Sequence, residues 1–330
     1  MSPARGPPGK PPVTRFLAAR ATGMVVVLFL VTVGTFALIH LAPGGPSVMI
    51  NPDLSREDML RIQRNLGLDQ PLHVQYGRWL GTLVRGDLGF SLNFGARVSS
   101  LIWDRLPNTL YLGVVAFGFS TALGVSLGVL SALRPRSALD YTVTTAAFLG
   151  LSVPPFWFGL LLILVFSVFF QALPSSGMFP TDGTRGILAV ARHFVMPVLV
   201  LGLLNLAEIT RYTRSAMLEA LGSDYIRTAR AKGLDPARIV VAHALRNSLL
   251  PVLTILGIVL PRLLGGAVVT ETVFGWPGIG RLAVQAAQTR DYPLVMGLTL
   301  VAAVMVVAIN LVVDLLYAVA DPRVRREGAA

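Results

Sequence analysis

Few residues in this sequence could carry covalent or metal chemistry. There is no cysteine, so a thiol nucleophile, a zinc–thiolate site and a disulfide framework are all excluded. The four histidines, His40, His73, His193 and His243, are scattered without ligand spacing. Gly124-Val125-Ser126-Leu127-Gly128 matches the G-x-S-x-G pattern of a hydrolase nucleophile, but that pattern works only on a sharp strand-to-helix turn. Here it lies inside an apolar run with no acid nearby, so an intramembrane hydrolase acting through Ser126 is a weak alternative. Gly6-Pro7-Pro8-Gly9-Lys10-Pro11 lacks the spacing and the hydroxyl of a Walker-type phosphate loop. Catalytic residues, a metal site and a bound cofactor are therefore not expected in this chain.

Charges in apolar surroundings are the next candidates. Arg262 stands about midway along an apolar run; an arginine there costs roughly 2.5–3.5 kcal/mol in a bilayer unless it is satisfied. It should face protein or a water-filled cavity. Two readings stay open: pairing with backbone carbonyls or a neighbouring subunit, or lining a transport pathway. Glu208 and Asp314 fall near the predicted ends of their runs. No carboxylate is expected at mid-membrane, where ion-coupled carriers usually place one. An ATP-independent carrier or channel is thus the less favoured alternative.

Composition decides which elements hold these residues. Hydrophobic residues make up 54% and charged residues 14%, against about 45–50% and about 25% in soluble domains; mean hydropathy is +0.67. The expected class is an all-α polytopic membrane protein. A hydrocarbon core of about 30 Å needs about 20 apolar residues per helix. Six spans are predicted, at about 17–41, 106–133, 141–170, 194–211, 249–270 and 292–320. The first exceeds the apolar core of a cleavable signal. Pro154-Pro155 should kink or break the third. In the second, Ala116, Ser120, Gly124, Gly128 and Ala132 recur every four residues, a small-residue stripe suited to close helix packing.

The net charge of +11 lies between apolar runs, where it sets membrane orientation; nucleic acid is not an expected partner. The two tails, the second connection and the fourth connection hold 16 basic and 6 acidic residues; the other three connections hold 11 and 9. The bias predicts both termini in the cytoplasm. The expected organisation is a proline-rich cytoplasmic tail (1–14), a first span (15–41), an extracytoplasmic region (42–105), a core of five spans (106–320) with a cytoplasmic loop at 212–248, and a cytoplasmic tail (321–330). Outside, amphipathic helices are predicted at 56–66 and 72–83, Trp79 and Trp103 as interfacial anchors, and a surface helix at 279–288. In the fourth connection, Asp224-Tyr225-Ile226-Arg227-Thr228-Ala229-Arg230-Ala231-Lys232-Gly233 reads as a short helix. Ser223 or Asp224 caps its start, Gly233 stops it, and a second helix follows from about 237 to 247. A short cationic rod is thereby exposed to soluble partners.

At Asp224 to Gly233, continuing through His243-Ala244-Leu245-Arg246-Asn247-Ser248-Leu249-Leu250-Pro251, the sequence resembles the membrane permeases of peptide ABC importers, closest to the first-permease type of dipeptide, oligopeptide and nickel systems. The same resemblance runs through Leu66-Gly67-Leu68-Asp69-Gln70-Pro71, Gly86-Asp87-Leu88-Gly89, Pro154-Pro155-Phe156-Trp157, Glu271-Thr272-Val273-Phe274-Gly275-Trp276-Pro277-Gly278-Ile279-Gly280, Asp314-Leu315-Leu316-Tyr317 and Asp321-Pro322-Arg323. It implies the type I ABC importer permease fold in a bacterial plasma (inner) membrane. The implied partners are a second homologous permease subunit, two cytoplasmic ATPase subunits holding ATP and magnesium, and an extracytoplasmic substrate-binding protein. Asp224–Gly233 would be the coupling helix seated in an ATPase groove. Arg227-Thr228 stands where Glu-Ala is usual in importers generally, and the stretch from Gly233 to Pro251 is longer. Both departures suit the peptide branch. Import of peptides is implied, with nickel or another small solute as the alternative.

Overall fold

In the computed structural model the described residues are 13–41, 57, 61, 64, 67, 69–180 and 186–320. The helices are α1 (Val13–Leu41), α2 (Leu72–Val84), α3 (Val98–Leu133), α4 (Ala138–Ser152), α5 (Pro155–Phe169), α6 (Ile187–Gly222), α7 (Asp224–Ala231), α8 (Pro236–Val273), α9 (Ile279–Gln288) and α10 (Tyr292–Ala320). Five are long and apolar enough to cross a membrane, and the bent pair α4–α5 makes a sixth crossing if counted as one span.

The centre is the pair α3 and α6, and small residues let them meet. Ala116, Ser120, Gly124, Gly128 and Ala132 are all buried on α3. A methyl group on Gly124 would lie 2.8 Å from Ile209 Cγ2, and one on Gly128 would lie 2.7 Å from the Thr210 carbonyl oxygen. From the other side, Gly202 of α6 sits against Phe119. The helix backbones therefore touch with almost nothing between them, the arrangement that rewards packing where lipid offers no hydrophobic drive. α8 closes the core. Leu112, Val198, Leu201, Ile209, Ile255, Val259, Leu263 and Ala267 bury together. α10 packs beside α1, joined by an Arg20–Asp314 ion pair of 2.9 Å.

The third crossing breaks at the diproline. Val153 and Pro154 are extended, as a residue before proline prefers, and Pro155 starts α5 where its missing amide is no loss. The two halves meet at 103°. The last seven residues of α5, Ile163–Phe169, are wound as a π-helix.

Three boundaries differ from the sequence expectation. α3 begins at Val98, earlier than 106; α6 runs to Gly222, beyond 211; and the expected separate helix at 237–247 is the first part of α8, joined to the fifth crossing through a π-helical stretch at Ile239–Leu245. Apolar length marks only where a helix lies in hydrocarbon. No proline or glycine interrupts 212–221, so α6 continues as a polar, still helical extension.

α2 matches its expected range and has no buried residues; it leans on α1 through Tyr76 Oη and Thr32 Oγ1 (2.9 Å). Trp103 is 68% exposed. The expected 56–66 helix lies outside the described residues except for Glu57, Arg61 and Arg64, which are helical. The tails at 1–12 and 321–330 also lie outside them.

Candidate functional site

α7 is built from local chemistry at both ends. Ser223 is extended (φ −75°, ψ 156°) and its carbonyl accepts from Ile226 N (3.2 Å) and Arg227 N (3.3 Å). Its hydroxyl does not cap the helix as expected. It donates backward to the Ala220 carbonyl at 2.5 Å, welding α7 to the end of α6. Asp224 lies in the first turn, where a carboxylate suits the helix dipole, and pairs with Arg227 at 3.3 Å. At the other end Gly233 takes φ +73°. The amides of Gly233 and Leu234 then return to the carbonyls of Arg230 (2.9 Å) and Ala229 (3.3 Å), a reversal that favours glycine.

One face of α7 holds it and the other is free. Ile226 and Ala229 bury against Ala132, Met217, Ala220, Ile239 and Ala244. Tyr225, Arg227, Thr228, Arg230, Ala231 and Lys232 are exposed. Beside α7 runs a groove of about 570 Å³ whose lining includes Pro135, Leu221, Arg230, Leu234 and Pro236. The result is a rigid two-turn rod with a cationic outer face.

A buried carboxylate ties the same end together. Asp140, in the first turn of α4, is 3% exposed. It accepts from the Arg214 guanidinium of α6 (Nε 2.6 Å, Nη2 2.8 Å) and from Arg136 N (2.9 Å). The Ser131 hydroxyl of α3 also donates to it. In the sequence Asp140 is one acid among the charges of the second connection. The signal was available: it is the lone acid of its connection, three residues after Ser137, whose hydroxyl accepts the Asp140 amide (3.2 Å).

Arg262 has a partner that the sequence reading did not foresee. Its Nη1 donates to both carboxylate oxygens of Glu208, each at 2.9 Å. Apolar length places Glu208 near the end of its span, because the apolar run stops soon after. α6 in fact continues to Gly222, so Glu208 stands well inside the helix and compensates the deep arginine. The pair lines a cavity of about 180 Å³ with Asn205, Thr270, Leu151 and Pro155, at the α4–α5 break. Arg262 is 56% and Glu208 23% exposed there. Ser126, by contrast, sits mid-helix in α3 and donates to the Ala122 carbonyl (2.7 Å); no strand-to-helix turn surrounds it.

At the far end of α8, 38 residues and about 57 Å from its start, Glu271 is fully buried. It accepts from Thr109 Oγ1 of α3 (2.6 Å) and Arg281 N (2.9 Å), while Ile279 N donates to Thr109 Oγ1 (2.9 Å). The carboxylate thus sits at the start of α9. A methyl group on Gly278 would fall 2.3 Å from it, which accounts for a glycine there. Trp276 is fully buried, and its indole donates to the Asn108 carbonyl (3.0 Å). The expected surface helix, α9, instead buries Ile279, Leu282 and Ala286 against α3 and α10. Ser91 and Asn93 N close on Asp291 nearby (2.5 and 3.0 Å).

Comparison with known proteins agrees with this geometry. Residues 124–326 match the family model described as a binding-protein-dependent transport system inner membrane component, and residues 13–113 match its N-terminal counterpart. The chain is 44% identical to the oligopeptide transport system permease protein AppB of Bacillus subtilis, covering 94% of this chain and 98% of that protein. It is 42% identical to the dipeptide transport system permease protein DppB of Escherichia coli (93% and 98% covered). Among solved structures, a chain of the inward-facing MetNI methionine ABC transporter aligns at TM-score 0.53 and 21% identity, over 68% of this chain and 97% of that one. At that identity the likeness shows a shared fold.

Proposed function

Because the chain belongs to the binding-protein-dependent transport system inner membrane components, and is a multi-pass inner-membrane transport subunit, we propose that it forms half of a peptide import pathway powered from outside itself. Its partners in this reading are a homologous permease, two cytoplasmic ATPases that bind ATP and magnesium, and an external peptide-binding protein. The names of the relatives support peptides as the cargo. The charge bias between spans supports cytoplasmic termini, which puts α7 in the cytoplasm and the Glu271 end outside.

The observation that carries the reading is α7 itself. A helix of two turns, held by two buried side chains and stopped at both ends, presents cations outward and cannot flex without leaving its socket. Seated in an ATPase groove, it passes motion directly to α6 and α8, which flank it in the chain. Region 42–105 and the 271–291 connection then form the outer mouth and meet the binding protein. Arg262 and Glu208 face the pathway, since a half-exposed ion pair against lipid would be costly.

Gly233→Val tests the assignment. A side chain meets nothing within 4 Å there, so the effect is conformational: a β-branched residue is forced to φ +73° at about 1–2 kcal/mol. In reconstituted vesicles the variant complex should hydrolyse ATP but import less peptide per ATP. Unchanged import per ATP would defeat the coupling role of α7. Because the chain has no cysteine, a single introduced thiol at Arg227 also reports directly. It should cross-link to an ATPase subunit and react with reagents from the cytoplasmic side.

A further inference from the structure

The Glu208–Arg262 pair is incompletely used. Glu208 engages Nη1 alone; among the described residues Nε and Nη2 have no partner. That leaves one edge of a planar, permanently charged fork unpaired, on a side chain that is half-exposed and lines the cavity. A fork of two parallel N–H groups matches a carboxylate in a way that a point charge does not. Glu208, meanwhile, fixes the guanidinium by its other edge, so the open edge is held in place before anything binds.

The surroundings restrict what can occupy it. The cavity wall is otherwise apolar apart from Asn205 and Thr270, and Asn205 turns its amide back to the Leu201 carbonyl (2.9 Å). Among the described residues no second cation lines the cavity, which disfavours a phosphate dianion. One carboxylate, attached to something that tolerates apolar walls, fits both the charge and the lining.

We propose that the free Nε/Nη2 edge of Arg262 is a way-station for the C-terminal carboxylate of the transported peptide, with Glu208 as its positioning residue. This rests on the peptide-import reading above and adds a chemical requirement: a free α-carboxylate, whatever the side chains. Mutual charge compensation also keeps the station weak enough to leave. The peptide adds one negative charge to a neutral pair, so it is held without being trapped.

The test uses the complete transporter in proteoliposomes and a peptide as its free acid and its C-terminal amide, both chosen because the external binding protein takes them. The expected result is ATP-dependent uptake of the acid about tenfold above the amide, the ratio set by one charge-assisted bidentate contact. Arg262→Gln should bring that ratio toward one by lowering acid uptake, and Glu208→Gln should lower it less. Arg262→Lys, which keeps charge but loses the fork, should fall between. Equal acid and amide uptake by the wild-type transporter overturns the station while leaving peptide import standing, and needs no variant to fold. Proportionate loss of both peptides in Arg262→Gln overturns it too, because that is the signature of a structural ion pair. If the wild-type complex imports neither peptide, the import reading itself fails and the station with it.

Discussion

Two carboxylates buried at opposite ends of the same core are satisfied in different ways. Glu271 is held by neutral donors, one hydroxyl and a backbone amide at the start of α9. These donors belong to elements that cannot leave without unpacking Trp276 and Leu282. Asp140 is held by a hydroxyl, a backbone amide and, above all, the Arg214 side chain reaching from α6. The first is a clamp made of backbone. The second is a tie whose strongest strand is a flexible side chain with a charge at its tip. The tie lies on the α7 end, where force would enter in the proposed reading, and the clamp lies at the opposite end.

The sharpest way to break the comparison is to remove the tie. Arg214→Ala leaves Asp140 charged, buried and without a counter-ion, a change that costs about 3–5 kcal/mol when one member of a buried pair is deleted. Arg214 is itself partly exposed, which favours the low end of that range. The melting temperature of the purified complex should drop by several degrees, more than for any other change discussed here. The double variant Asp140→Asn with Arg214→Leu should recover most of the loss. If it does not, α4 and α6 are held mainly by packing and the tie is incidental.

Glu271→Ala tests the clamp. It strands the Thr109 hydroxyl and the Arg281 amide, at about 1–3 kcal/mol each for a buried unsatisfied group, offset where water enters. Stability should fall by about 2 kcal/mol in a denaturant titration of the purified complex. A variant with normal stability and poor coupling would reverse the roles assigned to the two ends.

How much of this was legible in the sequence depends on range. Features set by neighbouring residues could be read directly: the crossings from apolar length, the break from Pro154-Pro155, the start of α9 from the Gly- and Pro-rich break before it, and the end of α7 from Gly233. Features set by distant pairing could not. Glu208 and Arg262 are 54 residues apart, and Asp140 and Arg214 are 74 apart. A period of 3.6 says which face a residue takes, but not which helix lies opposite. One hint was present: two opposite charges, each inside a separate apolar run, have few places to go except to each other. Glu271 was hidden for another reason. It closes an apolar helix and opens a glycine- and proline-rich turn, so it reads as the edge of a loop until the turn is seen to fold back over it.

The smallest effect on folding is expected at the surface of α7. Arg227 is 75% exposed and its contact with Asp224 is 3.3 Å, with Asp224 94% exposed. A pair of that kind contributes between zero and about 1 kcal/mol, so Arg227→Ala should shift stability by no more than about 0.5 kcal/mol. Its effect belongs elsewhere. If the cationic face of α7 meets an acidic ATPase groove, removing one of its charges should weaken retention of the ATPase subunits and flatten the dependence of that retention on salt. Screening acts within about 10 Å at 0.1 M ionic strength. Co-purification across a salt series reads both. Unaltered retention and an unaltered salt slope would mean that α7 is gripped by its shape and its apolar socket alone, and that its charges face only water.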